Sequence, residues 1–118
     1  MWSEQKKNRM YVGIPPHQVL VQEPSGASHW LALRLDLRDH SPTGFSWGYG
    51  GSGPAQLALA LLADAAGDDE LALAWYYEFK WSLVASWDVD RPWSVDQQTV
   101  KAWLDARVIQ SSIGAIQV

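Results

Sequence analysis

Two regions of the chain alternate apolar and polar positions. Val19 and Val21 are flanked by glutamines, and Leu31, Leu33, Leu35 and Leu37 recur with period two while Ala32, Arg34, Asp36 and Arg38 fall on the other side. Glu23-Pro24-Ser25-Gly26 between them carries turn chemistry, so the two runs read as a hairpin with one face on a core. A short strand around Met10 to Val12, ahead of Gly13 and Pro15-Pro16, joins it. After residue 44 the period changes. Pro54 suits a first helical turn, and Ala55 to Ala66 is apolar on nearly every side, which predicts a central, buried helix closed by Gly67. Asp68-Asp69-Glu70 suits the positive start of a second helix, predicted to run to about Ser86. Leu71, Trp75 and Phe79 form one apolar line on it, and Tyr77, Trp81 and Val84 form a second. Residues 87 to 93 read as a loop, because Pro92 cannot continue a helix. Ser94 with Gln97 matches a capping box, and Val100, Trp103, Leu104 and Arg107 keep helical spacing, so a third helix follows. The expected fold is α+β, with about three N-terminal strands in a small antiparallel sheet packed on about three C-terminal helices. Residues 10–108 form the domain, 1–9 a flexible N-terminus, and 109–118 a tail or short edge strand.

Composition narrows the chemistry. None of the 118 residues is cysteine, which excludes disulfides, thiol catalysis and thiolate zinc sites. No apolar run resembles a signal peptide or reaches the length of a membrane span, so the expected location is the cytoplasm, away from the membrane. The net charge of −4 argues against direct nucleic-acid binding. It is also uneven: from Asp64 to Asp105 nine acids face three bases. Such a half attracts basic protein surfaces and speeds encounter with them.

Gly44 to Pro54 is the most unusual segment. It contains Gly-x-Gly-x-x-Gly at Gly48, Gly50 and Gly53 and opens into the predicted central helix; its glycines either allow a tight turn between sheet and helix, with Trp47 and Tyr49 packing over it, or let backbone amides at the helix start hold an anion. The surrounding pattern departs from a dinucleotide fingerprint, since no long strand precedes it and no acid-bearing strand follows. Eight tryptophans are present, and Trp47, Trp87 and Trp93 fall in predicted loops, where they either lid the core from outside or serve as rigid binding anchors. Catalytic constellations are thin. His17, His29 and His40 lack metal-ligand spacing, Asp39-His40-Ser41 are consecutive and cannot align as a triad, and Asp88-x-Asp90 reads as loop chemistry. No catalytic residue, metal or cofactor is expected. The candidate contact residues are Trp47, Tyr49, Gly50, Gly51 and Ser52 in the loop, with Asp68, Asp69, Asp88 and Asp90 on the acidic half.

The run from Leu37 to Leu62, which includes Ser-Pro-Thr-Gly-Phe-Ser-Trp-Gly-Tyr-Gly-Gly-Ser-Gly-Pro-Ala-Gln-Leu-Ala-Leu-Ala-Leu-Leu, together with Tyr77-Glu78-Phe79-Lys80-Trp81, resembles a family of small uncharacterised domains known mostly from phages, plasmids and other mobile bacterial DNA. The resemblance implies that the glycine loop, the central helix and the Phe79-Lys80-Trp81 segment belong to one recurring site or scaffold, and it carries no activity to any residue. Its setting implies an inhibitor or modulator of a host complex, anti-CRISPR proteins included. The leading expectation is therefore a non-enzymatic protein that binds a basic surface on a host defence or nucleic-acid-handling complex. The alternative is a small ligand- or nucleotide-binding domain using the glycine loop. A homodimer through Tyr77, Trp81 and Val84 is a further expectation.

Overall fold

The structure, a computed structural model, describes the backbone of residues 8–117 and the side chains of residues 8–112. Four antiparallel strands form one sheet: β1 (Met10–Ile14), β2 (Gln18–Gln22), β3 (Ser28–Trp30) and β4 (Trp93–Asp96), in the order β3-β2-β1-β4. Three helices accompany them: α1 (Ser52–Ala66), α2 (Asp69–Ser82) and α3 (Gln97–Gln117), with a short 3-10 turn at Val84–Ser86 after α2. The α+β class expected from the sequence is thus present, with one strand more than expected.

The register follows the alternation. Tyr11 pairs with Val21 and Gly13 with Val19, and Tyr11, Val19 and Val21 point into the core while the residues between them are more exposed. On its other edge β1 pairs with β4, Gly13 opposite Trp93. A Cβ at Gly13 would collide with the Trp93 indole, so glycine is what admits that ring to the sheet face.

Three expectations are corrected. The leucine run does not form a strand: β3 stops at Trp30, Leu31 N–H makes a last sheet bond to Val19 (2.8 Å), and the chain turns with Arg34 at φ 60°. The reason lies on α1, where the fully buried Gln56 takes over the backbone bonds that a sheet would have made. Its Nε2 donates to the carbonyls of Leu33 (2.6 Å) and Arg38 (3.0 Å), and its Oε1 accepts from the N–H groups of His40 (2.7 Å) and Ser41 (3.0 Å). Second, the Ser94 capping box does not form. Trp93 to Asp96 is strand, and α3 is capped by Asp96, whose carboxylate accepts from Thr99 N–H at 2.8 Å. Third, α3 runs on to Gln117, so residues 109–117 are helix where a tail or edge strand was expected.

The central helix is as expected. Nearly every residue from Gly53 to Ala65 is buried, and Gly67 closes it in the left-handed conformation (φ 64°) with its N–H on Ala63. Asp68 then caps α2, its carboxylate accepting from Leu71 N–H (3.1 Å). That helix ends at Ser82, short of the expected Ser86. Residues 1–7 of the expected flexible N-terminus lie outside the described residues, and Asn8 and Arg9 are held. Arg9 bonds both oxygens of Asp64 on α1 (2.9 Å each) and Glu23 (3.0 Å), Tyr11 O–H donates to Asp64 (2.6 Å), and Gln97 N–H donates to the Arg9 carbonyl. This clasp joins the sheet, the C-terminal end of α1 and the start of α3. Burial, followed by the bond to Asp64, raises the Tyr11 hydroxyl well above its ordinary pKa.

Candidate functional site

The glycine segment is shaped by what packs on it. Gly48 has φ +89° and lies so close to the backbone of Trp87 and Val89 that any side chain would clash, while its N–H donates to the Val84 carbonyl (3.0 Å). A Cβ at Gly50 would enter the Trp81 ring, one at Gly51 the Tyr49 ring, and one at Gly53 the Ser46 hydroxyl. The glycines therefore admit side chains of α2 and of the loop itself, and α2 ends against the segment from which α1 begins. Gly51 is the N-cap of α1 and supplies no side-chain acceptor, nor does the first turn contain an acid.

Two adjoining cavities open beside this start. One, of about 450 Å³, is lined by polar groups of His17, Ser41, Thr43, Ser46, Tyr49 and Ser52. The other, of about 200 Å³, shares His17, Thr43, Gly44 and Phe45 with it and extends to Trp30, Leu31 and Leu33. Ser46 and Tyr49 hydroxyls bond each other at 2.8 Å, and Ser41 donates to the Gly44 carbonyl at 2.7 Å.

The structure divides the candidate residues. Trp47 is a core residue, 1% exposed: its indole N–H donates to the Arg91 carbonyl (2.9 Å) and its ring meets Trp93 edge-on, which in turn stacks on Trp87 at 4.3 Å. Trp47, Trp87 and Trp93, the last of them in β4, thus lid the core, and Trp47 is not the exposed contact residue it was expected to be. Tyr49 is 49% exposed and Gly50, Gly51 and Ser52 lie at the surface around it. Asp88 and Asp90 are exposed in the loop that packs on Gly48, at the same end of the molecule. Asp68 and Asp69 are not there. They start α2, whose 14 residues put them about 20 Å from its other end. Asp69 is engaged by Arg34 at 2.8 Å, and Asp68 is the α2 cap. The acids do not form one continuous face.

The exposed partners of the loop come from the second apolar line of α2. Tyr77 is 62% and Trp81 52% exposed, their rings edge to face at 6.5 Å, whereas Val84 is buried. Lys80 lies against both rings, within the Phe79-Lys80-Trp81 segment that the family resemblance assigns to one recurring site or scaffold. By periodicity alone this lysine reads as a solvated position, and only the resemblance marks its segment.

Residues 16–106 match the model of a protein family described as one of unknown function. No curated protein matches the chain, and no solved structure does.

Proposed function

We propose, from the premise that the chain belongs to the family of unknown function DUF6166, that this domain is a non-catalytic binding module that docks on a partner protein through its glycine-loop end. The observation that carries this reading is that Trp81 packs at Gly50 and Tyr49 at Gly51, with Tyr77 edge-on beside Trp81, each of the three rings about half exposed or more. Exposed aromatic rings held by a rigid frame are the usual anchors of protein interfaces, because they bury large area at small entropic cost. Asp88 and Asp90 stand at the same end and would steer a basic partner surface toward it. The partner proposed is a host defence or nucleic-acid-handling complex of a cell carrying a mobile element, which the domain would inhibit or modulate as an anti-CRISPR protein does. The test is affinity capture from nuclease-treated host lysate. Wild type should retain a stoichiometric complex, and Tyr77→Ser with Trp81→Ser should lose it. Equal capture by both would remove the reading.

The paired cavities favour a second reading, a small anionic ligand such as a nucleotide. The larger one ends at the start of α1 among four hydroxyl side chains besides Tyr49, and the smaller reaches the exposed Trp30 ring, on which a base would stack. A thermal-shift screen of nucleotides tests it: a ligand at one hundred times its Kd should add about 2.7 kcal/mol of stability. No shift with any nucleotide would discard it.

A further inference from the structure

We infer that the free edge of β3 pairs with β3 of a second copy of this chain, joining two four-stranded sheets into one. The ladder between β2 and β3 fixes which way each backbone group points. Leu31 N–H donates to the Val19 carbonyl and Glu23 N–H to that of Ala27, both at 2.8 Å, and Val21 stands opposite His29 in the same register. In an antiparallel ladder such bonded pairs alternate with unbonded ones, so His29 is bonded inward to Val21, and the N–H and C=O groups of Ser28 and Trp30 face away from β2. Strand β3 ends the sheet order and all of its residues are exposed. No hydrogen bond among the described residues reaches those outward groups.

This pattern is its own complement. When a second β3 lies antiparallel about a two-fold axis between the two copies of His29, Ser28 of each strand exchanges both backbone bonds with Trp30 of the other, and every outward group finds a partner. The side chains agree with that register. Trp30 stands opposite Leu20 on the outer face of the sheet, away from the core-facing Val19 and Val21, and is 55% exposed. In the pair it lies beside the small Ser28 of the second copy and diagonal to the other Trp30, roughly 7–8 Å away and within reach of an indole. No charge opposes the approach: β3 holds no lysine, arginine, carboxylate or proline, the residues that keep sheet edges apart, whereas the opposite edge strand, β4, follows Pro92 and carries Asp96. The pairing uses none of Tyr49, Tyr77 and Trp81, so it is independent of the docking reading and would present two glycine-loop ends to one partner. It does take the Trp30 ring that the nucleotide reading gives to a base.

Sedimentation equilibrium over a concentration series tests the pairing. The mass of wild type should climb from the 13.2 kDa of one chain toward twice that value. Ser28→Pro removes an outward N–H that the sheet does not use, and Trp30→Lys sets two like charges side by side; both should stay at the monomer mass, while Tyr77→Ser with Trp81→Ser should still dimerise. The chain has no cysteine, which permits a direct check of register. Opposed Cβ atoms of an unbonded pair lie roughly 4.5–5.5 Å apart, so mild oxidation should lock His29→Cys into a covalent dimer at a concentration where Ala102→Cys, exposed on α3, remains monomeric. A wild type that stays monomeric throughout, a dimer kept by both edge variants or lost in the α2 double variant, or equal cross-linking by the two cysteines would overturn the inference. Loss of a captured partner on Ser28→Pro, with wild type monomeric, would overturn it too and give the edge to a strand of another protein. The wild-type and cysteine measurements decide the matter even if an edge variant fails to fold.

Discussion

The two ends of the α1–α2 pair are built on opposite rules. At the end where α1 stops and α2 starts, polar groups are answered: Arg9 grips Asp64 and Glu23, Tyr11 bonds Asp64, Arg34 bridges Asp36 and Asp69, and Asp68 caps α2. At the end where α1 starts, the helix has no side-chain cap, Lys80 has no counter-ion among the described residues, and three aromatic rings face solvent. Both ends use the same helices and lie about 20 Å apart. The difference separates what the fold needs from what it offers. The satisfied end ties β1, α1 and α3 into one body, and the open end is where an outside group gains most by arriving.

Substitutions sharpen the contrast in descending order of effect on stability. Gln56, one turn into α1, marks the boundary, because four backbone groups depend on its amide; Gln56→Leu should cost about 3 kcal/mol in a denaturant titration by leaving them unpaired. Asp64→Asn, at the satisfied end, should cost about 2 kcal/mol, since Arg9 Nη1 loses the carboxylate whose two oxygens it bonds, and should leave partner capture intact once the protein is folded. Tyr77→Ser, at the open end, should change stability by about 0.5 kcal/mol or less, while weakening capture. A Tyr77→Ser protein that unfolds readily, or an Asp64→Asn protein that folds but captures nothing, would break the comparison.

The smallest effect concerns pH. The Thr99 side chain and N–H, with Asn8, hold the Asp96 carboxylate below its ordinary pKa. A lowered carboxylate stabilises the fold fully above its unfolded value near 4, and that contribution fades as pH falls through the lower folded value. The Tm of wild type should therefore drop between pH 5 and acid conditions by more than that of Asp96→Asn, which keeps a capping oxygen without the titration. Equal acid sensitivity would show that the cap contributes nothing through its charge.

How much of this was legible depends on where each element finds its partners. The α1 helix could be read because its alanines and leucines specify burial on all sides and Gly67 stops it locally. The leucines from 31 to 37 imitated a strand because period two is a local pattern, whereas the groups that override it belong to Gln56, more than twenty residues from the Leu33 carbonyl it binds. Strand β4 escaped notice because four residues carry too little periodicity and its pairing partner, β1, lies some eighty residues earlier. At the site, the glycine loop and Tyr49 were visible as composition. Trp47 was misplaced because a loop position says nothing about burial, and only its bond to Arg91 and its contact with Trp93 settle where it lies. The resemblance marked the Phe79-Lys80-Trp81 segment, but not how Lys80 sits, because the packing of a lysine's stem is decided by the rings that fold beside it.

The claim that binding resides at the open end is tested most directly by affinity capture from nuclease-treated host lysate, run in parallel with wild type, Tyr77→Ser with Trp81→Ser, and Asp64→Asn, each first shown to melt cooperatively. The account predicts a stoichiometric partner with wild type and with Asp64→Asn, and none with the double variant. Retention of the partner by the double variant, or the absence of any partner with wild type, would contradict it.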